Sequence, residues 1–351
     1  MNKIDFEITE AEEDFSTARV IAEYKGVYKV KNLAGEYLAR ITGKQMFDAL
    51  SREDYPAVGD WVAISMADKE NAVIQKVLPR KTIIKRKSSN KTEAQIIATN
   101  IDLAFVIESV GRDFSLNRFE RYFTIANSGG VEAAIILNKV DLISHEELDT
   151  ILSQIKNRFK DTKVIVTSTV TEEGLNELNE FIEKGQTYCF LGSSGVGKSS
   201  LINKLLGKNL LRTEDISAHS VRGKHVTTKR EMYFLENGGI VVDNPGMREV
   251  GMTDVNVGIN NFFDEIISLA GGCKYKDCTH TQESGCVVLS AIKSGKLDKD
   301  KYSNYVNLKK EAEFYEMTEL EKKEKDRQFG KFIKKAKKDL SDYGHKDYGK
   351  Q

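Results

Sequence analysis

The sequence of 351 residues is long enough for two or three domains. Hydrophobic residues make up 40% of it and provide for a sizeable core, but no apolar run approaches the ~20 residues that span a bilayer. The first residues are acidic and lack a signal-peptide pattern, so we expect a cytoplasmic protein with no membrane partner. The net charge of zero argues weakly against a nucleic-acid partner, although basic residues are concentrated at 80–91 and 325–338.

Short strand patterns separated by glycine-containing turns follow an acidic leader over residues 1–16. We predict five strands between residues 19 and 77, and this number favours a small closed barrel, most commonly an OB-fold. Such barrels often bind oligonucleotides; the alternative is a barrel that only packs on its neighbour. The segment from Arg80 to Lys91 is basic and contains no acid, so it is predicted to be a linker, either solvated or in contact with a phosphate backbone.

Apolar strands alternate with helical patterns from residue 95 to 247, which indicates a mostly parallel sheet covered on both faces. One strand leads into Gly192-Ser193-Ser194-Gly195-Val196-Gly197-Lys198-Ser199, which fits the phosphate-binding pattern G-x-x-x-x-G-K-[ST]. The glycines allow backbone N–H groups to point at phosphate oxygens, and the helix that follows adds a partial positive charge. We expect Lys198 to bind the β- and γ-phosphates and Ser199 to bind Mg²⁺, in a site that runs to Ser200. The alternative is a glycine-rich turn that binds nothing.

Two further motifs end strands of the predicted sheet, where α/β proteins bind ligands. Asn138, Lys139, Val140 and Asp141 fit the pattern N-K-x-D. The carboxylate of Asp141 can accept both N–H groups on the Watson–Crick edge of guanine, which adenine does not present, so it would select guanine. Asn138 would brace the loop, and Lys139 would lie along the base. Ser168 follows the next strand, in a segment that could present a backbone N–H to the guanine O6.

A third motif, Asp243-Asn244-Pro245-Gly246, ends another predicted strand. Asp243 can hold Mg²⁺ through water, and the Gly246 N–H can meet the γ-phosphate; the alternative is a simple turn. In Ras-like enzymes a glutamine after this glycine orients the attacking water, but here the position is Met247. A methionine cannot hydrogen-bond water usefully, so another group must provide this polar contact.

Three cysteines and one histidine lie within a short stretch near the start of the C-terminal region: Cys273, Cys278, His280 and Cys286. Three thiolates and one imidazole form a closed set suited to one tetrahedral structural Zn²⁺. No open ligand position remains, so we expect no metal chemistry there. The alternative, free buried cysteines, leaves the spacing unexplained. The fourth cysteine, Cys189, lies in the strand before the phosphate loop, and we expect it to pack in the core.

The guanine motifs precede the phosphate loop, which reverses the order found in ordinary GTPases. With this order, the five-stranded region and the cysteine cluster, the chain closely resembles the RsgA family of circularly permuted GTPases over nearly its whole length. The resemblance implies an OB-fold β-barrel, a circularly permuted α/β P-loop GTPase domain and a mostly helical zinc-binding domain, which we place at residues 17–87, 88–255 and 256–351. It also implies GTP or GDP with Mg²⁺, GTP hydrolysis stimulated by the small ribosomal subunit, binding to its 16S rRNA, and a role in its late maturation. We expect a monomer.

Residues 222–228 resemble the Gly-Arg-His-Thr-Thr segment of that family. This makes His225 the candidate for positioning the attacking water, and Thr227 or Thr228 the candidate for a mobile Mg²⁺ ligand. Val226 stands where the family usually has threonine, so the choice between the two threonines stays open. The alternative for His225 is a solvated loop residue. Two other functional classes compete with this interpretation of the whole chain. One is a permuted GTPase that acts on the large subunit, and such proteins lack the barrel and the cysteine cluster. The other is a non-enzymatic, nucleotide-gated RNA-binding protein.

Overall fold

A computed structural model describes residues 15–24, 26–87, 94–111, 114–211, 230–243, 255–317, 321, 324, 327 and 333–335. The predicted acidic leader lies outside these residues up to position 14, and so does most of the basic segment 325–338. None of the described helices is both long enough and apolar enough to cross a membrane.

Five strands close into a barrel near the N-terminus. They are β1 (Ser16–Tyr24), β2 (Val27–Lys31), β3 (Glu36–Ile41), β4 (Trp61–Met66) and β5 (Asn71–Val77). Their order is β1-β2-β3-β5-β4, and β4 pairs with β1 to close the barrel. Branched side chains such as Val20, Val30 and Ile74 are fully buried inside it. Helix α1 (Gly43–Asp48) lies between β3 and β4. The predicted five-stranded OB-fold barrel is therefore confirmed.

The basic segment that follows the barrel forms a strand. β6 (Ile83–Lys87) pairs with β7 (Ala94–Thr99), and Ile84 is fully buried. Arg80 forms an ion pair with the buried Asp60 at 2.7 Å, and Lys85 forms one with Glu53 at 2.6 Å. The prediction of a linker is therefore wrong for residues 80–87. The only apolar pattern in this strand is a pair of adjacent isoleucines. Because basic residues surround the pair, it is too short to predict a strand from the sequence.

A second set of strands forms the central sheet. They are β8 (Leu103–Ser109), β9 (Glu132–Asn138), β10 (Val164–Thr167), β11 (Thr187–Leu191), β12 (Arg230–Phe234) and β13 (Ile240–Asp243). Their order is β10-β9-β8-β11-β13-β12, and only the β13–β12 pair is antiparallel. Helices α2 (Leu116–Ser128) and α3 (His145–Arg158) pack on one face, and α4 (Leu175–Phe181) and α5 (Lys198–Leu206) pack on the other. This is the predicted parallel sheet with two covered faces.

The barrel and the central sheet are continuous. β1 pairs antiparallel with β12, with Ala22 opposite Glu231, so one sheet runs through both units and contains 11 of the strands formed by the described residues. The Tyr24 hydroxyl donates to Glu231 at 3.4 Å beside this pairing. A strand ladder with these contacts fixes the barrel against the edge of the central sheet.

The C-terminal region is helical and has its own core. It contains α6 (Asn256–Phe262), α7 (Asp264–Ala270), α8 (Val287–Lys293) and α9 (Lys299–Glu316). α6 packs closely on α2, because Gly258 has no Cβ and one there would overlap the Thr124 carbonyl oxygen. The fully buried Glu120 of α2 accepts from Arg158 of α3 at 2.7 Å and from Asn304 of α9. A buried, fully paired carboxylate thus joins this region to the central sheet's helices.

Candidate functional site

The predicted phosphate loop connects the buried strand β11 to α5. Gly195 and Gly197 have positive φ values of 86° and 101°, which glycine adopts without strain. A Cβ on Gly197 would also overlap the amide nitrogen of Asn138. Only glycine therefore allows the loop to lie this close to the end of β9. The structure has the strand, loop and helix order that the motif requires.

Lys198 is the first residue of α5 and is 6% exposed. Its ammonium group donates to the carbonyl oxygens of Gly192 at 2.7 Å and Ser193 at 2.6 Å, so it lies across the loop. Burial lowers the pKa of Lys198 to about 8, while the carboxylates of Asp243 and Glu108 act in the opposite direction. A buried cation that lies across a glycine-rich loop at a helix N-terminus is suited to a phosphate group.

The N-K-x-D motif contacts the phosphate loop directly. The Asn138 side chain donates to the Val196 carbonyl oxygen at 2.8 Å and accepts from Thr167 at 3.0 Å. Lys139 has a left-handed backbone, with φ of 63°, and its Nζ donates to the Gly195 carbonyl oxygen at 2.6 Å. These bonds join two motifs that are more than fifty residues apart in the chain. They place both motifs at one edge of the sheet.

Asp141 and Ser168 meet beyond Asn138 at the same edge. The Ser168 hydroxyl donates to Asp141 Oδ1 at 2.5 Å and accepts from the backbone N–H groups of Val170 and Thr171, each at 3.1 Å. Ser168 therefore orients the carboxylate of Asp141 and orders its own loop. Val140, which precedes Asp141, is buried and anchors the turn in the core. The two guanine motifs that the sequence predicts are together in the structure.

Asp243 ends β13, which runs parallel to β11. It is 8% exposed, and burial raises the pKa of its carboxyl group to about 6, although Lys198 lowers it. Within the described residues, Asp243 Oδ1 is buried without a hydrogen-bond partner. A buried carboxylate oxygen in this state fits a divalent cation or a water bound to one, with the Ser199 hydroxyl at the start of α5 as a further oxygen ligand.

Four predicted site residues lie outside the described residues: His225, Thr227, Thr228 and Gly246. Sequence reasoning also missed two residues beside the loop. Glu108 lies at the end of β8 with 1% exposure, and Arg118 of α2 donates to it at 2.9 Å. The sequence does contain a pattern that could have identified Glu108, because this carboxylate directly follows a run of apolar residues in a buried strand.

The predicted zinc ligands form one cluster near the start of α8. The ligand atoms of Cys273, Cys278, His280 and Cys286 all lie within 4.8 Å of one another. His280 Nδ1 lies 3.6 Å from Cys273 Sγ and 3.5 Å from Cys286 Sγ, and those two sulfurs are 3.9 Å apart. Zn–S bonds of ~2.3 Å and Zn–N bonds of ~2.0 Å in a tetrahedron require about these separations. The sulfurs are too far apart for a disulfide, and the donor set fits Zn²⁺.

Comparison with known proteins identifies the family. A family model described as RsgA GTPase matches residues 77–253. The small ribosomal subunit biogenesis GTPase RsgA 2 of Lactiplantibacillus plantarum is 39% identical over 94% of this chain and 92% of its own length. The chain belongs to the RsgA GTPase family. RsgA 1 of Bacteroides thetaiotaomicron is 36% identical over 93% of this chain and 91% of its own length. As a member of this family, the protein is a GTP hydrolase.

Solved structures agree on the fold. YjeQ from Thermotoga maritima matches with a TM-score of 0.63 and 24% identity, over 84% of this chain and 97% of its own. YloQ, a circularly permuted GTPase, matches with a TM-score of 0.62 and 19% identity, over 88% of this chain and 99% of its own. The predicted family and the circularly permuted fold of this RsgA-family GTPase are confirmed.

Proposed function

We propose that this GTPase acts in late maturation of the small ribosomal subunit, binding its 16S rRNA as a monomer in the cytoplasm. The observation that carries the proposal is the similarity, over 94% and 93% of the chain, to two relatives named small ribosomal subunit biogenesis GTPases. The similarity extends beyond the residues matched by the GTPase family model, so it includes the barrel or the cysteine cluster as well as the nucleotide site.

The nucleotide is proposed to lie along the edge where β9, β10, β11 and β13 end. Asp141, oriented by Ser168, would accept from guanine, and the loop from Gly192 to Ser200 would hold the phosphates. The bonds from Asn138 and Lys139 to the loop support this proposal, because they fix the base end against the phosphate end. One guanine nucleotide would then contact both motifs.

Hydrolysis is proposed to depend on charge and on the position of one water molecule. Lys198 would leave its loop carbonyls and stabilise the negative charge that develops on the phosphate oxygens. Ser199 and Asp243 would hold Mg²⁺ together with Thr227 or Thr228, and the ion would neutralise part of the phosphate charge. The Gly246 N–H would donate to the γ-phosphate.

His225 is proposed to position the attacking water, because Met247 cannot. We expect His225→Ala to bind GTP as the wild-type chain does while losing the hydrolysis that small subunits stimulate. Turnover is measured with and without purified small subunits, and GTP affinity is measured by equilibrium binding. Stimulated turnover that equals the wild-type rate would reject this role for His225.

The cysteine cluster is proposed to hold one structural Zn²⁺ through Cys273, Cys278, His280 and Cys286. His280 is buried, and its backbone carbonyl accepts from the Tyr302 hydroxyl at 2.5 Å, which ties the cluster to α9. A closed four-ligand set leaves no position for a substrate. The ion would fix the loop between α7 and α8 without taking part in hydrolysis.

Nucleotide state is proposed to control binding and release of rRNA. Asp243 and Gly246 precede α6, so loss of the γ-phosphate would relax this segment and move the C-terminal helices. RNA contacts are proposed for the barrel and the two basic segments. Arg80 and Lys85 are already paired with acids, so among residues 80–85 the exposed Lys81 is the better candidate. Equal affinity of the GTP-bound and GDP-bound forms for the small subunit would contradict this switch.

The deciding experiment is GTP turnover of the full chain alone, with purified small subunits, and with purified large subunits as the control. The proposal predicts slow turnover alone, stimulation by small subunits and no stimulation by large ones. Stimulation by large subunits alone would favour a large-subunit GTPase. Turnover that stays at background in all three mixtures would favour the non-enzymatic, nucleotide-gated RNA-binding protein.

A further inference from the structure

A buried ion pair lies beside the start of the phosphate loop. β8 and β11 are parallel neighbours with Val106 opposite Leu191, and both side chains lie in the core between the sheet and α2. Side chains two positions along a strand point to the same face, so Glu108 lies on the same face of β8 as Val106. The two chain segments stay close here, because a Cβ on Gly192 would overlap the Ile107 carbonyl oxygen. Glu108 therefore borders the loop.

The carboxylate of Glu108 is an unfavourable neighbour for a phosphate site. It is 1% exposed, and its charge acts on the ammonium group of Lys198. A buried negative charge at this place repels a nucleotide polyanion unless a cation compensates it. Arg118 provides that cation, with its NH1 atom 2.9 Å from Glu108 Oε2.

Arg118 belongs to a face of α2 that lines the loop. Tyr122 follows one turn later on the same helix face, and its hydroxyl lies 3.4 Å from Ser193 Oγ. The Arg118 side chain is 31% exposed, and among the described residues the rest of its guanidinium group has no hydrogen-bond partner. Its remaining N–H groups can therefore serve a ligand.

We propose that Arg118, oriented by Glu108, places a second cation beside the phosphate loop and makes the site favour GTP over GDP. GTP carries more negative charge than GDP, so a cation at this end favours it more. This inference rests on the proposed nucleotide site and names a specificity-determining residue within it. Glu108 is a positioning residue, because it acts through Arg118.

The test compares the affinities of the full chain for a non-hydrolysable GTP analogue and for GDP. We define the ratio as the affinity for the GTP analogue divided by the affinity for GDP. We expect Arg118→Ala to lower this ratio by about tenfold, the size of one charge-assisted contact. Arg121→Ala is the matched control. Arg121 lies on the same helix with the same side-chain exposure of 31%, but it pairs with Glu311 of α9. Its ratio should equal that of the wild type.

A merely structural role would weaken both nucleotides equally or lower the thermal unfolding midpoint without changing the ratio, and either result overturns the inference. Glu108→Gln keeps an acceptor for Arg118 and removes the negative charge, so its ratio should rise above the wild-type value. A ratio that stays level or falls in Glu108→Gln also overturns it. If the wild-type chain binds neither nucleotide, the proposed nucleotide site itself fails, which is a separate outcome.

Discussion

The two candidate sites of this GTPase are built in opposite ways. The zinc ligands come from a short stretch, Cys273 to Cys286, and their donor atoms lie within 4.8 Å of one another. The nucleotide site takes residues from Asn138 to Asp243, and strands of one sheet bring them together. Spacing alone predicts the first kind of site, whereas the second requires the topology of the sheet as well.

The difference explains why circular permutation leaves the nucleotide site intact. β11 carries the phosphate loop and lies in the middle of the central sheet, although β8 and β9 precede it in the chain. The parallel strands β8 to β11 and β13 end at the same edge regardless of their order in sequence. The zinc ligands cannot be reordered in this way, because their positions in space depend directly on their spacing in the sequence.

The largest effect is expected from loss of the metal cluster. Cys273→Ser should reduce bound zinc from one per chain to well below one and destabilise the C-terminal helices by several kcal/mol. GDP affinity should change little, because the nucleotide site is held by separate contacts. Zinc is measured by elemental analysis, and stability by thermal unfolding.

Cys189→Ala is the control for the metal cluster. Cys189 is the fourth cysteine and is fully buried in β11, as the sequence predicts for a packing residue. Its replacement should leave one zinc per chain. A wild-type chain that contains no zinc would contradict the assignment of the cluster.

The second largest effect is expected at the phosphate end. Lys198→Ala should weaken binding of both GTP and GDP by about 100-fold, because a buried charge-assisted contact to phosphate is lost. Zinc content should stay at one per chain. Lys204→Ala on the same helix is the control, since Lys204 is exposed and pairs with Glu172. Nucleotide binding that survives in Lys198→Ala would show that the phosphates bind elsewhere.

A smaller effect is expected at the base end. Ser168→Ala removes the hydroxyl that orients Asp141, so guanine nucleotides should bind about fivefold more weakly, corresponding to ~1 kcal/mol for one hydrogen bond. Equilibrium binding of GDP measures this. Ser153→Ala on the exposed face of α3 serves as the control. An affinity equal to the wild type in Ser168→Ala would remove Ser168 from the site.

Much of the nucleotide site could be predicted from the sequence because its motifs follow apolar strands. The five barrel strands, the alternating strands and helices, and the cysteine cluster all have strong local signals. The strand β6 could not be predicted, because its burial depends on pairing with β7. The ion pairs of Arg80 with Asp60 and of Lys85 with Glu53 likewise form only in the folded chain.

Long-range contacts could not be predicted from the sequence either. The pairing of β1 with β12 joins Ala22 to Glu231, and no local pattern specifies that partner. The pair of Glu108 and Arg118 likewise depends on how α2 lies against the end of β8. Side chains of this kind are polar residues in otherwise apolar surroundings, and their partners become visible only in the folded chain.

The central claim is that Asp141 and Lys198 bind opposite ends of one nucleotide. A crystal structure of the full chain with a non-hydrolysable GTP analogue and Mg²⁺ tests it most directly. The account predicts one nucleotide, with its guanine N–H groups at hydrogen-bond distance from the Asp141 carboxylate and its β- or γ-phosphate at hydrogen-bond distance from Lys198 Nζ. A nucleotide that contacts one of these side chains while the other faces a different cavity would contradict the account.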